Sequence, residues 1–214
     1  MVRDSGESVG SLRPRSKKTL NDSAHELAAL LFGPLARWLQ RMNMSANAVT
    51  VFGFAFNVFG GIVLAFGKMQ LAAVLITIGG LLDGIDGLLA RLSGQASSYG
   101  AFLDSVLDRW SESVVFLGLL WWYLRADMPV EVILIYVSLA SSLLVSYTRA
   151  RAEGVGAQCK RGLFTRLERV VVLIAGLVLN QVPVVLWILA VFATWTALQR
   201  IYFTWKYIKV NHIK

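Results

Sequence analysis

The sequence predicts an all-α integral membrane protein in which six transmembrane helices follow an N-terminal amphipathic interfacial helix. Three observations lead to this prediction. The chain of 214 residues is 56% hydrophobic and has a mean hydropathy of +0.60. Only 16% of its residues are charged, against about 25% in soluble domains. Apolar runs of roughly 20 residues recur, and each is long enough to cross a hydrocarbon core of about 30 Å.

Short polar segments divide the apolar sequence into six predicted spans. We place these spans at residues 46–67, 70–92, 98–124, 129–152, 165–182 and 184–205. Because the spans follow one another closely, they predict one six-helix domain over residues 43–206. Residues 207–214 are predicted to form a cytoplasmic tail.

The N-terminal arm has two parts with different composition. Residues 1–21 are polar and basic, which is typical of a disordered segment. Residues 22–42 predict an amphipathic juxtamembrane helix, with Leu27, Leu30, Leu31, Leu35, Trp38 and Leu39 near one face. This pattern fits a helix lying in the membrane interface, and it also fits an ordinary packed helix.

The distribution of basic residues predicts the orientation in the membrane. With six spans, 19 of the 21 Lys and Arg residues fall on the side that holds both termini. Only Lys68 and Arg125 fall on the other side. The positive-inside rule therefore predicts a protein of the cell membrane whose termini and acidic residues face the cytoplasm. Because the basic residues lie at helix ends, the net charge of +8 does not indicate nucleic-acid binding.

Four aspartates lie in sequence that should be within the membrane: Asp83, Asp86, Asp104 and Asp108. Each buried acid costs roughly 2.5–3.5 kcal/mol on insertion scales, so the group needs cations or basic partners. The spacings i,i+3 and i,i+4 place each pair on one helix face. The short loop 93–98 makes the two helices antiparallel neighbours, so the four carboxylates are expected to converge. Oxygen ligands suit Mg²⁺ or Mn²⁺, and this number of acids accommodates two ions.

Glycines and an arginine extend the predicted site. Gly87 and Gly100 lie beside the acids, where a missing side chain lets a ligand approach the backbone. Arg91 lies one turn beyond Gly87, and arginine matches phosphate oxygens well. Together these residues predict a site for a metal-bound diphosphate. Gly79 and Gly80 are interpreted instead as small residues that allow helices to pack closely.

The segment around residues 146–169 is rich in basic residues at helix ends. A loop that follows the positive-inside rule is one interpretation. The other is a cavity for a second anion, such as a phosphorylated acceptor, because Arg149, Arg166 and Arg169 lie where side chains can turn inward. Glu112 lies one turn beyond Asp108, and a contact with Arg109 or Arg91 is one interpretation of that position.

The acidic stretch resembles the signature of the CDP-alcohol phosphatidyltransferases. The run reads Asp83-x2-Asp86-Gly87-x2-Ala90-Arg91-x8-Gly100-x3-Asp104-x3-Asp108, with every spacing of that signature kept. The resemblance implies six transmembrane helices, two metal ions and a homodimer. It also implies a reaction in which an alcohol displaces CMP from a CDP-linked lipid.

The resemblance assigns roles by position. All four aspartates would bind metal, and Asp108 would also deprotonate the acceptor hydroxyl. The CDP-lipid would contact Asn47, Ala48, Val49, Thr50, Gly87, Arg91, Ser97 and Gly100. Ala46 stands where the family often has proline.

Within the family, the segments Ser146–Glu153 and Thr165–Arg169 are similar to those of actinobacterial phosphatidylinositol-phosphate synthases and related archaeal enzymes. This similarity implies CDP-diacylglycerol as donor and inositol 1-phosphate as acceptor. The acceptor phosphate would be bound by Ser146, Arg149, Arg166, Arg169 and Arg200. Leu167 replaces a usual proline and Thr165 a usual glutamate.

Two alternatives stay open at this point. The same reaction with glycerol 3-phosphate or another alcohol as acceptor requires the same acidic residues. A divalent-cation carrier is a non-enzymatic alternative, but its acids should be spread through the membrane depth. In this sequence the acids gather at one end of two spans.

Overall fold

The structure is a computed structural model that describes residues 32–157, 162 and 164–211. The predicted disordered arm and the first part of the predicted amphipathic helix lie outside the described residues, as do residues 212–214. The described part of the chain is helical and contains no strand, so the all-α prediction is confirmed. Residues 32–41 form α1, followed by α2 (Ala46–Ala65), α3 (Met69–Leu92), α4 (Ser98–Arg125), α5 (Pro129–Gly154), α6 (Arg166–Val178) and α7 (Val182–Asn211).

Four of these helices, α2, α3, α5 and α7, are long and apolar enough to cross a membrane. The other two predicted spans are not confirmed. α4 has 28 residues, but three charged residues lie in its first half and a fourth, Glu112, follows directly. α6 has 13 residues, which at 1.5 Å per residue cover about 20 Å of a hydrocarbon core of about 30 Å. The protein is therefore a helical membrane protein in which α4 and α6 differ from those four helices, because they do not have both the length and the apolar composition of a membrane span.

A residue in the left-handed backbone region follows most helices. Such a residue ends a helix by turning the chain away from its axis, and glycine or asparagine adopts it most readily. The positions are Asn43, Gly67, Gly94, Asp127, Gly156 and Asn180. α7 contains no such break before Asn211, so the predicted tail from residue 207 begins inside a helix.

Packing places α2 against α3 and α4, α5 against α4 and α7, and α6 against α3 and α7. The main core includes Ile76 of α3, Leu119 of α4, Ile135 of α5, Leu177 of α6 and Leu186 of α7. This core joins the helices mainly at the ends that are distant from the acidic residues.

A second, smaller core attaches α1 to the start of α2 and the end of α3. Ala36 and Leu39 pack there with Val49, Ile85 and Leu89. Trp38 belongs to the predicted apolar face, but 55% of its surface is exposed. α1 therefore packs on the protein by one side only, and its interfacial role stays a prediction.

Candidate active site

Three of the four predicted acids form one cluster between α3 and α4. Asp83, Asp104 and Asp108 each offer a carboxylate oxygen, and these oxygens lie within 4.8 Å of one another. Asp104 and Asp108 are one turn apart on α4, so they share a face, and α3 brings Asp83 to that face. We refer to these residues as the three-acid cluster.

Asp86 is not a member of that cluster in the structure. It is 5% exposed and accepts a hydrogen bond of 2.5 Å from the hydroxyl of Thr50 on α2. Asp86 lies three residues after Asp83, so the two side chains point about 60° apart around the helix axis. This difference in direction turns its carboxylate toward α2.

Arg166 lies in the three-acid cluster. Its Nη1 atom is 2.7 Å from Oδ2 of Asp83 and 2.7 Å from Oδ1 of Asp108. One guanidinium among three carboxylates leaves an excess of negative charge. A divalent cation fits this excess, since carboxylate oxygens are the ligands that Mg²⁺ and Mn²⁺ prefer.

A cavity of about 220 Å³ lies on the α2 side of the cluster, and we name it the Arg91 cavity. It is bordered by Asp86 and Asp104 and by six of the residues predicted to contact a CDP-lipid. These six are Asn47, Thr50, Gly87, Arg91, Ser97 and Gly100. A side chain at Gly100 would bring its Cβ to 3.1 Å from Oδ1 of Asn47, so glycine keeps this cavity open.

Two residues predicted for the same contact lie elsewhere. Val49 is 1% exposed and belongs to the small core under α1. The backbone N–H of Ala48 donates to the side chain of Ser45, which caps the start of α2. Of the predicted residues 47–50, the structure therefore places Asn47 and Thr50 at the cavity. Successive residues of a helix point in different directions, so the four side chains cannot all face one ligand.

A second cavity, of about 300 Å³, lies on the other side of the cluster, and we name it the Arg149 cavity. It is bordered by Asp108 and by all five residues predicted to bind an acceptor phosphate. These are Ser146, Arg149, Arg166, Arg169 and Arg200. Segments far apart in the sequence, on α5, α6 and α7, thus meet around one cavity.

The arginines of the Arg149 cavity have different surroundings. Arg149 is exposed and forms an ion pair of 2.9 Å with Glu153, one turn later on α5. Arg200 is buried, and its Nη1 donates to the carbonyl oxygen of Val145 at 2.7 Å. Arg149 is therefore the most accessible of them for an incoming anion, whereas Arg200 helps to hold α7 against α5.

Arg169 is paired with Glu112, which was not among the predicted site residues. The Arg169 Nε and Nη2 atoms lie 3.0 and 3.4 Å from the two Glu112 carboxylate oxygens. The sequence offered Arg109 or Arg91 as one interpretation, but within the described residues the ion pair of Glu112 is with Arg169. The periodicity of α4 could show that Glu112 shares a face with Asp108, but it could not show that α6 lies opposite that face.

A third cavity, of about 320 Å³, extends from the cluster between the helices, and we name it the apolar cavity. Its polar end is formed by Asp83, Glu112, Arg166 and Arg169. Its remaining wall is largely apolar and includes Ile76, Val115, Phe116, Val170, Leu173 and Leu189. Asp104, Asp108 and Asp83 thus each border a different cavity, although they belong to one cluster.

Two related proteins are similar in sequence over most of this chain. Phosphatidylinositol phosphate synthase of Mycobacterium marinum is 36% identical over 190 residues, which cover 83% of this chain and 80% of that protein. An uncharacterized protein of Aquifex aeolicus is 37% identical over 181 residues, which cover 85% of this chain and 92% of that protein.

Solved structures show the same fold. The crystal structure of Mycobacterium tuberculosis phosphatidylinositol phosphate synthase with CDP-DAG bound matches with a TM-score of 0.75 and 32% identity. The match covers 80% of this chain and 92% of that chain. The same enzyme in complex with manganese and citrate matches with a TM-score of 0.75 and 33% identity, covering 80% and 88% of the two chains.

A family model provides the most general comparison. The model for CDP-alcohol phosphatidyltransferases matches residues 43–203, which is well over half of the chain. The resemblance seen in the aspartate spacing is thereby confirmed, and the protein is an enzyme that belongs to the CDP-alcohol phosphatidyltransferase family.

Proposed function

We propose that this enzyme transfers a phosphatidyl group from CDP-diacylglycerol to a hydroxyl of inositol 1-phosphate, giving phosphatidylinositol phosphate and CMP. The observation that carries the proposal is the meeting of three cavities of different chemistry at the three-acid cluster. A nucleotide diphosphate, an anionic acceptor and a lipid chain would each have a place beside the same carboxylates.

The proposal includes two divalent cations, Mg²⁺ or Mn²⁺, held by Asp83, Asp86, Asp104 and Asp108. The oxygen-only donor set supports this assignment, as does the manganese in the related crystal structure. When bound, such ions would offset the charge of the diphosphate and of the pentacoordinate phosphorus. The two-ion count comes from the number of acids and from the family resemblance.

The residues of this chain supply binding and proton transfer. Asn47, Arg91 and Ser97 would hold the CDP moiety in the Arg91 cavity. Asp108 borders the Arg149 cavity and would accept the proton of the acceptor hydroxyl. The hydroxyl oxygen then bonds to the phosphorus nearest the lipid, while the bond from that phosphorus to the CMP oxygen breaks.

Support for a phosphorylated acceptor comes from the charge of the Arg149 cavity. Four arginines of the predicted set border it, and a neutral alcohol would not need them. The names of the relatives favour inositol 1-phosphate over glycerol 3-phosphate, which carries the same anionic group. Thr165 and Leu167, which depart from the resembled pattern, border the same cavity, so glycerol 3-phosphate is the alternative acceptor.

Orientation and assembly complete the proposal. We infer that the protein lies in the cell membrane with the site and both termini facing the cytoplasm, because 19 of its 21 Lys and Arg residues would then lie on that side. We also infer a homodimer, which the family resemblance supports.

The test is CMP release by purified protein in liposomes that contain CDP-diacylglycerol and Mg²⁺ or Mn²⁺. Inositol 1-phosphate, glycerol 3-phosphate, free inositol and serine are supplied separately. We expect release with inositol 1-phosphate, and Asp108→Asn should slow it by about 10²–10⁴-fold, the usual contribution of a general base. Asp127→Asn is the matched control, because Asp127 lies in the α4–α5 turn and should leave the rate unchanged.

Other outcomes would change the proposal in defined ways. Release with glycerol 3-phosphate alone would keep the reaction and replace the acceptor. No release with any of these acceptors, from folded protein with metal present, would contradict the proposed pair of substrates. It would point to another acceptor or another CDP-lipid donor, and it would reopen the cation-carrier alternative.

A further inference from the structure

Asp86 differs from the other three acids in its environment. It is buried between α2 and α3 with 5% of its surface exposed, and Thr50, which faces it, is 6% exposed. The Thr50 hydroxyl oxygen is 2.5 Å from Oδ2 of Asp86. This distance is typical of a hydroxyl that donates to a carboxylate, a hydrogen bond about twice as strong as one between neutral groups.

Thr50 makes a second contact that fixes its side chain. Its hydroxyl oxygen is also 3.1 Å from the carbonyl oxygen of Ala46, one turn earlier on α2. A hydroxyl has one proton, and the shorter distance and the charge of the acceptor place that proton toward Asp86. A hydroxyl beside the carbonyl oxygen of the preceding turn is one of the rotamers that threonine commonly adopts in a helix, and in this rotamer the hydroxyl reaches Asp86.

The contact engages Oδ2 of Asp86. Asp86 and Asp104 both border the Arg91 cavity, and Thr50 borders it as well. A carboxylate that binds a cation does so more tightly when a neighbouring donor fixes its orientation. No other side-chain donor to Asp86 is found among the hydrogen bonds described for residues 32–157, 162 and 164–211.

We propose that Thr50 is a positioning residue for Asp86: its hydroxyl holds Oδ2 and so fixes the orientation in which the Asp86 carboxylate would bind a divalent cation. The inference rests on the metal sites of the proposed function. It replaces the sequence-based assignment of Thr50 to the CDP-lipid, because the hydroxyl that would contact a nucleotide is already donated to Asp86.

The test measures Mn²⁺ binding directly, by electron paramagnetic resonance titration of the purified full-length protein in detergent, without CDP-lipid. Thr50→Val keeps the shape of the side chain and removes its hydroxyl. We expect this change to weaken Mn²⁺ binding by about 10–100-fold, the usual effect of losing a partner that orients a metal ligand. Thr50→Ser keeps the hydroxyl and should bind Mn²⁺ nearly as tightly as the unaltered protein.

Thr77→Val is the matched control. The Thr77 hydroxyl on α3 donates to the carbonyl oxygen of Ala73 at 2.7 Å, and no hydrogen bond to a carboxylate is found for it within the described part of the chain. Its loss should leave Mn²⁺ affinity unchanged. Thr50→Ala gives a second side chain without a hydroxyl, and it should show the same weakening if the valine variant yields no folded protein.

Unchanged Mn²⁺ affinity in Thr50→Val or Thr50→Ala would overturn the inference. If the same variant also had a higher KM for CDP-diacylglycerol at saturating metal, Thr50 would be a nucleotide contact instead. Absence of Mn²⁺ binding by the unaltered protein would instead contradict the metal sites of the proposed function, so the two failures are distinguishable.

Discussion

Arg166 contacts two of the clustered acids although it also borders the Arg149 cavity. Its Nη1 atom lies 2.7 Å from a carboxylate oxygen of Asp83 and 2.7 Å from one of Asp108. Both residues are proposed ligands of a cation. The arginine and a divalent cation therefore compete for the same carboxylates. We therefore expect a bound cation to release the guanidinium for an anion in the Arg149 cavity.

This competition predicts opposite effects of Arg166→Ala on two ligands. Mn²⁺ affinity should rise, because a competing positive charge is removed. The KM for inositol 1-phosphate should rise by about tenfold to a hundredfold, since a hydrogen bond to a charged group contributes about 1.5–3 kcal/mol. Mn²⁺ titration without substrate and CMP release at saturating metal measure the two effects separately.

Arg125→Ala is the control for this prediction, since Arg125 is exposed in the last turn of α4. It should change neither quantity. A fall in Mn²⁺ affinity on Arg166→Ala would contradict the competition and would show instead that the arginine holds the acids in place.

Glu112 and Arg169 form a buried ion pair whose loss should affect stability. The two side chains are 10% and 3% exposed. Glu112→Ala leaves the Arg169 charge buried without its partner, which costs about 3–5 kcal/mol. The expected result is a clear decrease in the free energy of unfolding, measured by denaturant titration in detergent.

A matched exposed pair provides the comparison. Glu153 pairs with Arg149 one turn away, and these side chains are 52% and 54% exposed. Glu153→Ala should cost about 0–1 kcal/mol, because water and salt screen the pair. Equal losses in Glu112→Ala and Glu153→Ala would contradict the role given to burial.

At the residue scale, the sequence predicted which residues carry charge near the site but not all of their contacts. The spacing of Asp104 and Asp108 on one helix settles which face they occupy. The contact between Glu112 and Arg169 joins residues 57 positions apart, and it depends on how α6 packs against α4. Local periodicity contains no information on that packing, so the sequence suggested only Arg109 or Arg91, which are nearer along the chain, as possible partners.

At the element scale, α2 and α4 approach each other closely at Gly61 and Gly118. A Cβ atom on Gly118 would lie 2.1 Å from the carbonyl oxygen of Gly61. Even alanine therefore forces α4 away from α2, and α4 carries Asp104 and Asp108.

We expect Gly118→Ala to lower the free energy of unfolding by about 1–3 kcal/mol, the usual cost of overpacking. Gly80→Ala is the control, because no atom lies within 4 Å of a Cβ there. Alanine is a better helix former than glycine by about 1 kcal/mol, so the control should be neutral or more stable. Unfolding in detergent micelles measures both variants, and greater stability of Gly118→Ala would contradict the close approach.

The helices themselves were predicted better than their packing. The predicted spans 46–67, 70–92, 98–124 and 129–152 agree with α2 to α5 to within a few residues. The interpretation of Gly79 and Gly80 as packing positions is right for Gly79, whose Cβ would lie 2.6 Å from Asn57, and wrong for Gly80. Neighbouring residues on a helix point about 100° apart, so only one of the two can face α2.

At the scale of the whole molecule, the apolar surface and the distribution of charge determine how the protein lies in a membrane. Large apolar side chains are exposed on the outer faces of the helices, for example Phe59, Leu117, Ile133 and Leu198. Such a surface is stable only against lipid or another apolar surface. The length of α6 was not predicted correctly. Residues 165–182 were predicted as one span, but the helix ends at Val178, before the turn at Asn180.

The charge distribution predicts the orientation, which cysteine labelling in intact cells can test. In a Cys159→Ser background, Lys68→Cys places the only thiol in the α2–α3 turn, and Gln95→Cys places it in the α3–α4 loop beside the site. Positive charge near the α3–α4 loop should keep that loop in the cytoplasm. A membrane-impermeant maleimide should therefore label Lys68→Cys in intact cells and Gln95→Cys only after permeabilisation. The reverse pattern would place the site outside the cytoplasm, away from a supply of CDP-linked lipid, and would contradict both the orientation and the reaction proposed for this face.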